Sequence, residues 1–158
     1  PFKRFIPIQR WKVQYLPSQW GKRARFDFLV LVGPSKVGKS QLALSLFGPE
    51  VTLLLNCQGV VGPNLSEFVE GHHKCIVFDE ACTALPLTNK LLFQAGPSGV
   101  LLGQSRTGCY SRKHMVYHVA MIVCTNAWDI STLSPEQQDW LSSNSVVVEI
   151  SEPAWKTA

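Results

Sequence analysis

An α/β domain with a central, mostly parallel five-stranded sheet flanked by helices is predicted by three observations. Apolar runs rich in Val, Ile, Leu and Phe recur along the chain, each of strand length and most closed by Gly, Asp or Asn. Segments of helical character fall between them, the alternation that builds parallel sheets. The composition, 46% hydrophobic and 16% charged over 158 residues, suits one domain with one compact core.

Taken in order, residues 1–25 read as a basic N-terminal arm or a truncated oligomerisation segment, and 26–158 as the α/β domain. The first strand is expected over 26–32 (FDFLVLV), followed by a Gly-rich loop and a helix over 41–47 with Leu42 and Leu46 turned inward. The Gly48-Pro49 break precedes a second strand over 51–55. Residues 56–71 are a Gly-rich loop with a short helical piece near 65–69. The third strand, 74–78, ends at Asp79-Glu80, and a short helix is expected over 88–93. Residues 100–119 mix polar and aromatic character and read as a hairpin turning at Thr107-Gly108. The fourth strand covers 120–125. Ser134 caps a helix with Pro135 at its first position, running to about residue 141. The fifth strand covers 146–150.

Within that frame Gly33-Pro34-Ser35-Lys36-Val37-Gly38-Lys39-Ser40 fits the phosphate-binding pattern G-x-x-x-x-G-K-[ST]. Two glycines let the backbone fold tightly enough to aim several N–H groups at one anion, and the following helix N-terminus already favours negative charge. Lys39 is expected to neutralise the β- and γ-phosphates and Ser40 to hold Mg²⁺, with Gln41 opening the helix beside them. The alternative, an ordinary Gly-rich turn, does not require the strand before and the helix after. Cys75-Ile76-Val77-Phe78-Asp79-Glu80 is an apolar strand ending in two acids. Ligands of parallel sheets lie beyond the carboxyl ends of the strands, so Asp79 is expected to hold Mg²⁺ beside Ser40, mostly through water. Glu80 is expected to polarise the attacking water. Met121-Ile122-Val123-Cys124-Thr125-Asn126 ends in an amide able to orient that water or contact the γ-phosphate; by itself, Asn at a strand end reads equally well as a turn.

Net charge is +4, unevenly spread. Lys3, Arg4, Arg10, Lys12, Lys22, Arg23 and Arg25 precede Gly33, against Asp27 alone; after Lys113, Lys156 stands against Asp129, Glu136, Asp139, Glu149 and Glu152. The basic front is either a face drawn to polyanions or a solvated arm, with Phe2, Phe5, Trp11, Tyr15 and Trp20 arguing against pure disorder. The stretch 103–114 concentrates Arg106, Arg112, Lys113 and His114 with hydroxyl and amide groups. Such groups grip nucleic-acid phosphates without reading sequence, and Tyr110 is placed to stack on a base; the other reading is a soluble exposed loop. Five cysteines (57, 75, 82, 109, 124) show no metal-binding spacing, and an odd count without a secretion signal predicts an intracellular setting. No apolar run reaches membrane-spanning length. The chain begins at Pro1, as an excised or processed domain would.

On these three motifs (Gly-Pro-Ser-Lys-Val-Gly-Lys-Ser, Ile-Val-Phe-Asp-Glu and Ile-Val-Cys-Thr-Asn) the chain resembles the superfamily 3 helicase domain. The likeness is to the replication-associated (Rep) proteins of small circular single-stranded DNA viruses, related plasmids and endogenised relatives, over about residues 26–155. The resemblance implies a P-loop NTPase of AAA+-like build, a hydrolase using ATP (or another NTP) and Mg²⁺. It implies homo-hexameric rings that pull single-stranded DNA, or RNA, through the centre during replication, in the nucleus of a host cell. Arg106 then becomes the basic tip of a DNA-gripping hairpin, with Arg112, Lys113 and His114 on its return strand. The family supplies an arginine finger from after the third motif, but no Arg follows Arg112 here; Lys156 or an upstream Arg substitutes, or turnover is slow. His72-His73 lacks a matching tyrosine motif, so no nuclease is expected.

Two other classes stay open. One is a nucleotide- and nucleic-acid-binding module with little turnover. The other is a small-molecule kinase, disfavoured because Arg106 and Arg112 are the only arginines beyond Arg25 to build a lid.

Overall fold

The computed structural model describes residues 2–22, 25–94, 100–104, 112–116 and 118–156. Five parallel strands form the central sheet: β1 (Phe28–Val32), β2 (Thr52–Asn56), β3 (Cys75–Asp79), β6 (Ala120–Thr125) and β7 (Ser145–Glu149), in the spatial order β2-β3-β6-β1-β7. β4 (Val100–Gln104) and β5 (Arg112–Val116) pair antiparallel as a separate two-stranded ribbon. The class is α/β, with every ladder of the main sheet parallel.

Side-chain alternation sorts the core into two halves. One face carries Phe28, Val30, Ile76, Phe78, Met121 and Val123, which pack with Leu85 of α3 (Ala84–Thr88), Phe93 of α4 (Lys90–Phe93) and Leu141 of α5 (Pro135–Asn144). The opposite face carries Leu29, Leu31, Val77, Ile122 and Cys124, which pack with Leu42 and Ala43 of α2 (Lys39–Phe47) and with Ile8 and Trp11 of α1 (Ile6–Val13). Both faces are covered, which is why the central strands read as continuous apolar runs rather than alternating ones.

Several elements depart from their expected bounds. The first strand begins at Phe28, not at residue 26, because side chains claim the backbone of Asp27. Its carbonyl accepts from Trp11 Nε1 (2.7 Å), Gln14 Nε2 (2.9 Å) and Tyr15 Oη (3.2 Å), and its N–H donates to Gln14 Oε1 (2.9 Å). The same bonds fasten α1, an element not anticipated, onto the domain. Residues 65–69 are not helical: Leu65 and Phe68 are both buried, but the i, i+3 pair closes a single turn through Phe68 N–H to Leu65 O (3.0 Å). The helix expected over 88–93 is two short helices, parted at Asn89, whose amide donates to Leu85 O and Val61 O (2.7 and 2.6 Å). α2 starts at Lys39, and α5 runs on to Asn144. The fifth strand sits one residue earlier than expected.

Candidate functional site

The sheet order places β6 between β1 and β3. The carboxyl ends of these three strands therefore lie side by side: Val32 leading to Gly33, Thr125 leading to Asn126, and Asp79. Cross-links fix the ends to one another. Gly33 N–H donates to Thr125 O (3.2 Å), Ala81 N–H to Cys124 O (3.1 Å), and Cys57 N–H to Asp79 O (2.8 Å).

The loop from Gly33 to Gly38 is shaped by two glycines, for different reasons. A Cβ at Gly33 would collide with the Ile150 carbonyl oxygen, so only glycine fits against the chain leaving β7. Gly38 holds φ +85°, left-handed backbone that glycine adopts freely, as the N-cap of α2. Lys36 also lies in the left-handed region at φ +67°.

Lys39, the first residue of α2, is 8% exposed and folds back over the loop. Its ammonium donates to Gly33 O and Pro34 O (both 2.7 Å) and to Asn126 Oδ1 (3.2 Å), one acceptor for each of its protons. The Asn126 amide nitrogen in turn lies 3.4 Å from Ser35 Oγ. Ser40 Oγ donates to Asp79 Oδ2 (3.2 Å), and the other Asp79 oxygen accepts from Glu80 N–H (3.1 Å). A cleft of about 190 Å³ opens among Ser35, Lys36, Gly38, Lys39, Ser40, Gln41, Asp79, Glu80, Cys124 and Asn126. Three segments far apart in sequence thus border one space: the loop running into α2, the end of β3 and the end of β6.

Glu80 holds φ +54°, a conformation that costs a non-glycine residue about 1–2 kcal/mol. It is held there from both sides, by its own N–H on Asp79 and by the next residue's N–H on Cys124. The Cys124 thiol is pushed up to about 12 by burial first and by the Asp79 carboxylate second, with the Lys39 ammonium pulling the other way. It stays a neutral thiol in the cleft wall.

Ser40 and Asp79 supply hard oxygen donors in contact with each other, the kind that Mg²⁺ takes one or two of while keeping water and phosphate as its remaining ligands. The residues fit that ion. Among the described residues no group of three or more His, Cys, Asp or Glu gathers as a metal cage.

The basic hairpin is described only in part. Arg112, Lys113 and His114 lie on β5, opposite Gln104, Gly103 and Leu102 of β4. Arg106 and the Thr107-Gly108 turn fall outside the described residues. Val116, at the end of β5, is buried in the core and anchors the ribbon. Sequence reasoning missed the segment after β7. Ala154 N–H donates to Val37 O (2.8 Å), and the Trp155 ring packs on Gly38; no local pattern foretells a contact across more than a hundred residues. A larger cleft, about 290 Å³, lies between α1 and the sheet edge near Arg10, Gln14, Asp27 and Val146. It borders none of the strand ends that carry the site.

No protein-family model and no curated protein matches this chain. Among the described residues, no helix is long and apolar enough to cross a membrane.

Proposed function

We propose that this domain is a P-loop NTPase of the superfamily 3 helicase kind, binding and hydrolysing ATP and acting on single-stranded nucleic acid. The observation that carries the reading is the meeting of Lys39, Ser40, Asp79, Glu80 and Asn126 around one cleft at the carboxyl ends of three adjacent strands.

Lys39 exchanges its carbonyl and amide acceptors for the β- and γ-phosphate oxygens and neutralises charge that develops during transfer. The loop N–H groups and the first turn of α2 hold the phosphates through the same positive end of the helix. Ser40 and Asp79 would hold Mg²⁺, which when bound would supply charge neutralisation. Glu80 accepts a proton from the attacking water, whose oxygen bonds to the γ-phosphorus as the bond to the β-bridging oxygen breaks. ADP, inorganic phosphate and one proton leave. Asn126, already in contact with Lys39 and Ser35, orients that water or contacts the γ-phosphate.

ATP turnover with and without single-stranded DNA tests the proposal. Lys39→Ala is expected to abolish nucleotide binding. Glu80→Gln is expected to retain binding and to lower turnover by 10²–10⁴-fold, the usual range for a general base. Turnover that survives both changes removes the assigned roles. A second reading, a binding module with little turnover, is favoured by the lack of any arginine after Arg112. Nucleotide binding without hydrolysis at every protein concentration selects it. Hydrolysis that rises steeply with concentration selects ring assembly, with a neighbouring subunit completing the site.

A further inference from the structure

We propose that Trp155 is the platform on which the base of the bound nucleotide stacks, an inference that rests on the phosphate-loop reading of Gly33–Ser40. The indole borders that loop directly. A Cβ built on Gly38 would lie 2.8 and 2.9 Å from Cζ3 and Cε3 of Trp155, so the ring packs against the last loop residue before α2. Gly38 answers two demands at once, left-handed backbone and room for this ring.

The backbone behind the ring is held on both sides. Ala154 N–H donates to Val37 O (2.8 Å) and Ala154 O accepts from Lys3 N–H (2.7 Å), while Phe2 and Trp155 form an antiparallel bridge. Yet the residue as a whole is 41% exposed. Among residues whose side chains are described, it is the one Phe, Tyr or Trp left in the exposed class. The chain thus fixes a flat aromatic surface beside the loop and leaves much of it open. A nucleotide whose terminal phosphates lie on Lys39 carries its base out of the loop within one nucleoside's length. An aromatic plane at that border offers a base stacking energy that hydrogen-bonding side chains of the loop do not supply.

Calorimetric binding of ATP and of inorganic tripolyphosphate to the whole chain separates base from phosphate recognition. Trp155→Ala is expected to weaken ATP roughly ten- to hundredfold, the usual effect of removing a base-stacking ring, and to leave tripolyphosphate within about twofold. Trp155→Phe keeps a plane and is expected to hold ATP within a few-fold of the parent. Trp155→Leu fills the space beside Gly38 without a plane and is expected to behave like the alanine variant. Equal loss of both ligands in the alanine and leucine variants overturns the proposal, because it marks a role in loop shape alone. Unchanged ATP affinity in either variant overturns it as well. If the parent binds neither ligand, or Lys39→Ala binds both as well as the parent does, the phosphate-loop reading itself fails and the stacking proposal falls with it.

Discussion

Glu80 shows most directly how one residue is held in a costly backbone conformation beside the cleft. Its left-handed backbone is imposed by hydrogen bonds on either side of it rather than by its side chain. Glycine at this position relieves about 1–2 kcal/mol of strain and gives back about 0.5–1 kcal/mol in unfolded-chain entropy. Glu80→Gly is therefore expected to keep or slightly raise the thermal midpoint while ending turnover. Scanning calorimetry paired with a phosphate-release assay checks both halves, and a midpoint lower by several degrees contradicts the strain argument. At the same scale, the gathering of the cleft side chains was largely legible in the sequence. Lys39, Ser40, Asp79 and Asn126 meet because each stands at a strand or helix end that its own local pattern marks. Gly38 was legible as a glycine of a tight loop before a helix but not as the seat of an indole, since Trp155 arrives by long-range folding.

Among the elements, α5 owes its start to three side chains in a row of four. Ser134 Oγ accepts from Gln137 N–H (3.2 Å), Gln137 Oε1 accepts from Ser134 N–H (3.3 Å), and Pro135 takes the first helical position. Ser134 and Pro135 were readable from sequence because the cap is local; the reciprocal bond to Gln137 completes it. Ser134→Ala is expected to cost about 1 kcal/mol, measured by urea unfolding, with an unchanged m-value. The elements that escaped prediction are those decided elsewhere in the chain. Helix α1 is fixed by the carbonyl of Asp27 and by burial of Ile8 and Trp11. The turn at Leu65–Phe68 mimics helical spacing for one step and then stops. The basic ribbon of β4 and β5 carries its own expectation. If Arg112, Lys113 and the Arg106 turn grip phosphates, affinity for single strands falls steeply and linearly on a logarithmic salt scale. A flat salt dependence argues for a purely structural hairpin.

For the molecule as a whole, two histidines set an acid limit. His73 is held below its ordinary value of 6.5 by burial and by neighbouring His72, and its Nδ1 accepts from Val69 N–H (2.9 Å). His118, packed near Phe26 with backbone φ +53°, is lowered by burial. Below about pH 6.5 the unfolded chain binds more protons than the folded one, so stability falls as pH drops and is level above. Thermal midpoints between about pH 7.5 and pH 5 should decline. His118→Asn, which tolerates left-handed backbone, should flatten part of that slope; an equally steep slope in the variant removes His118 from the account.

The sheet order also governs when the site can come into being. β1 is made well before its two neighbours, β6 and β7, which come from residues 120–125 and 145–149. Pairing across such distances is slow and cannot begin until the partners exist. As the polypeptide leaves the ribosome, the loop at 33–40 emerges before its rigid floor, which waits for residues 120–149. If the loop holds nucleotide as proposed, a nascent chain stalled before residue 145 should fail to retain it, and the capacity should appear late and all at once rather than growing with length.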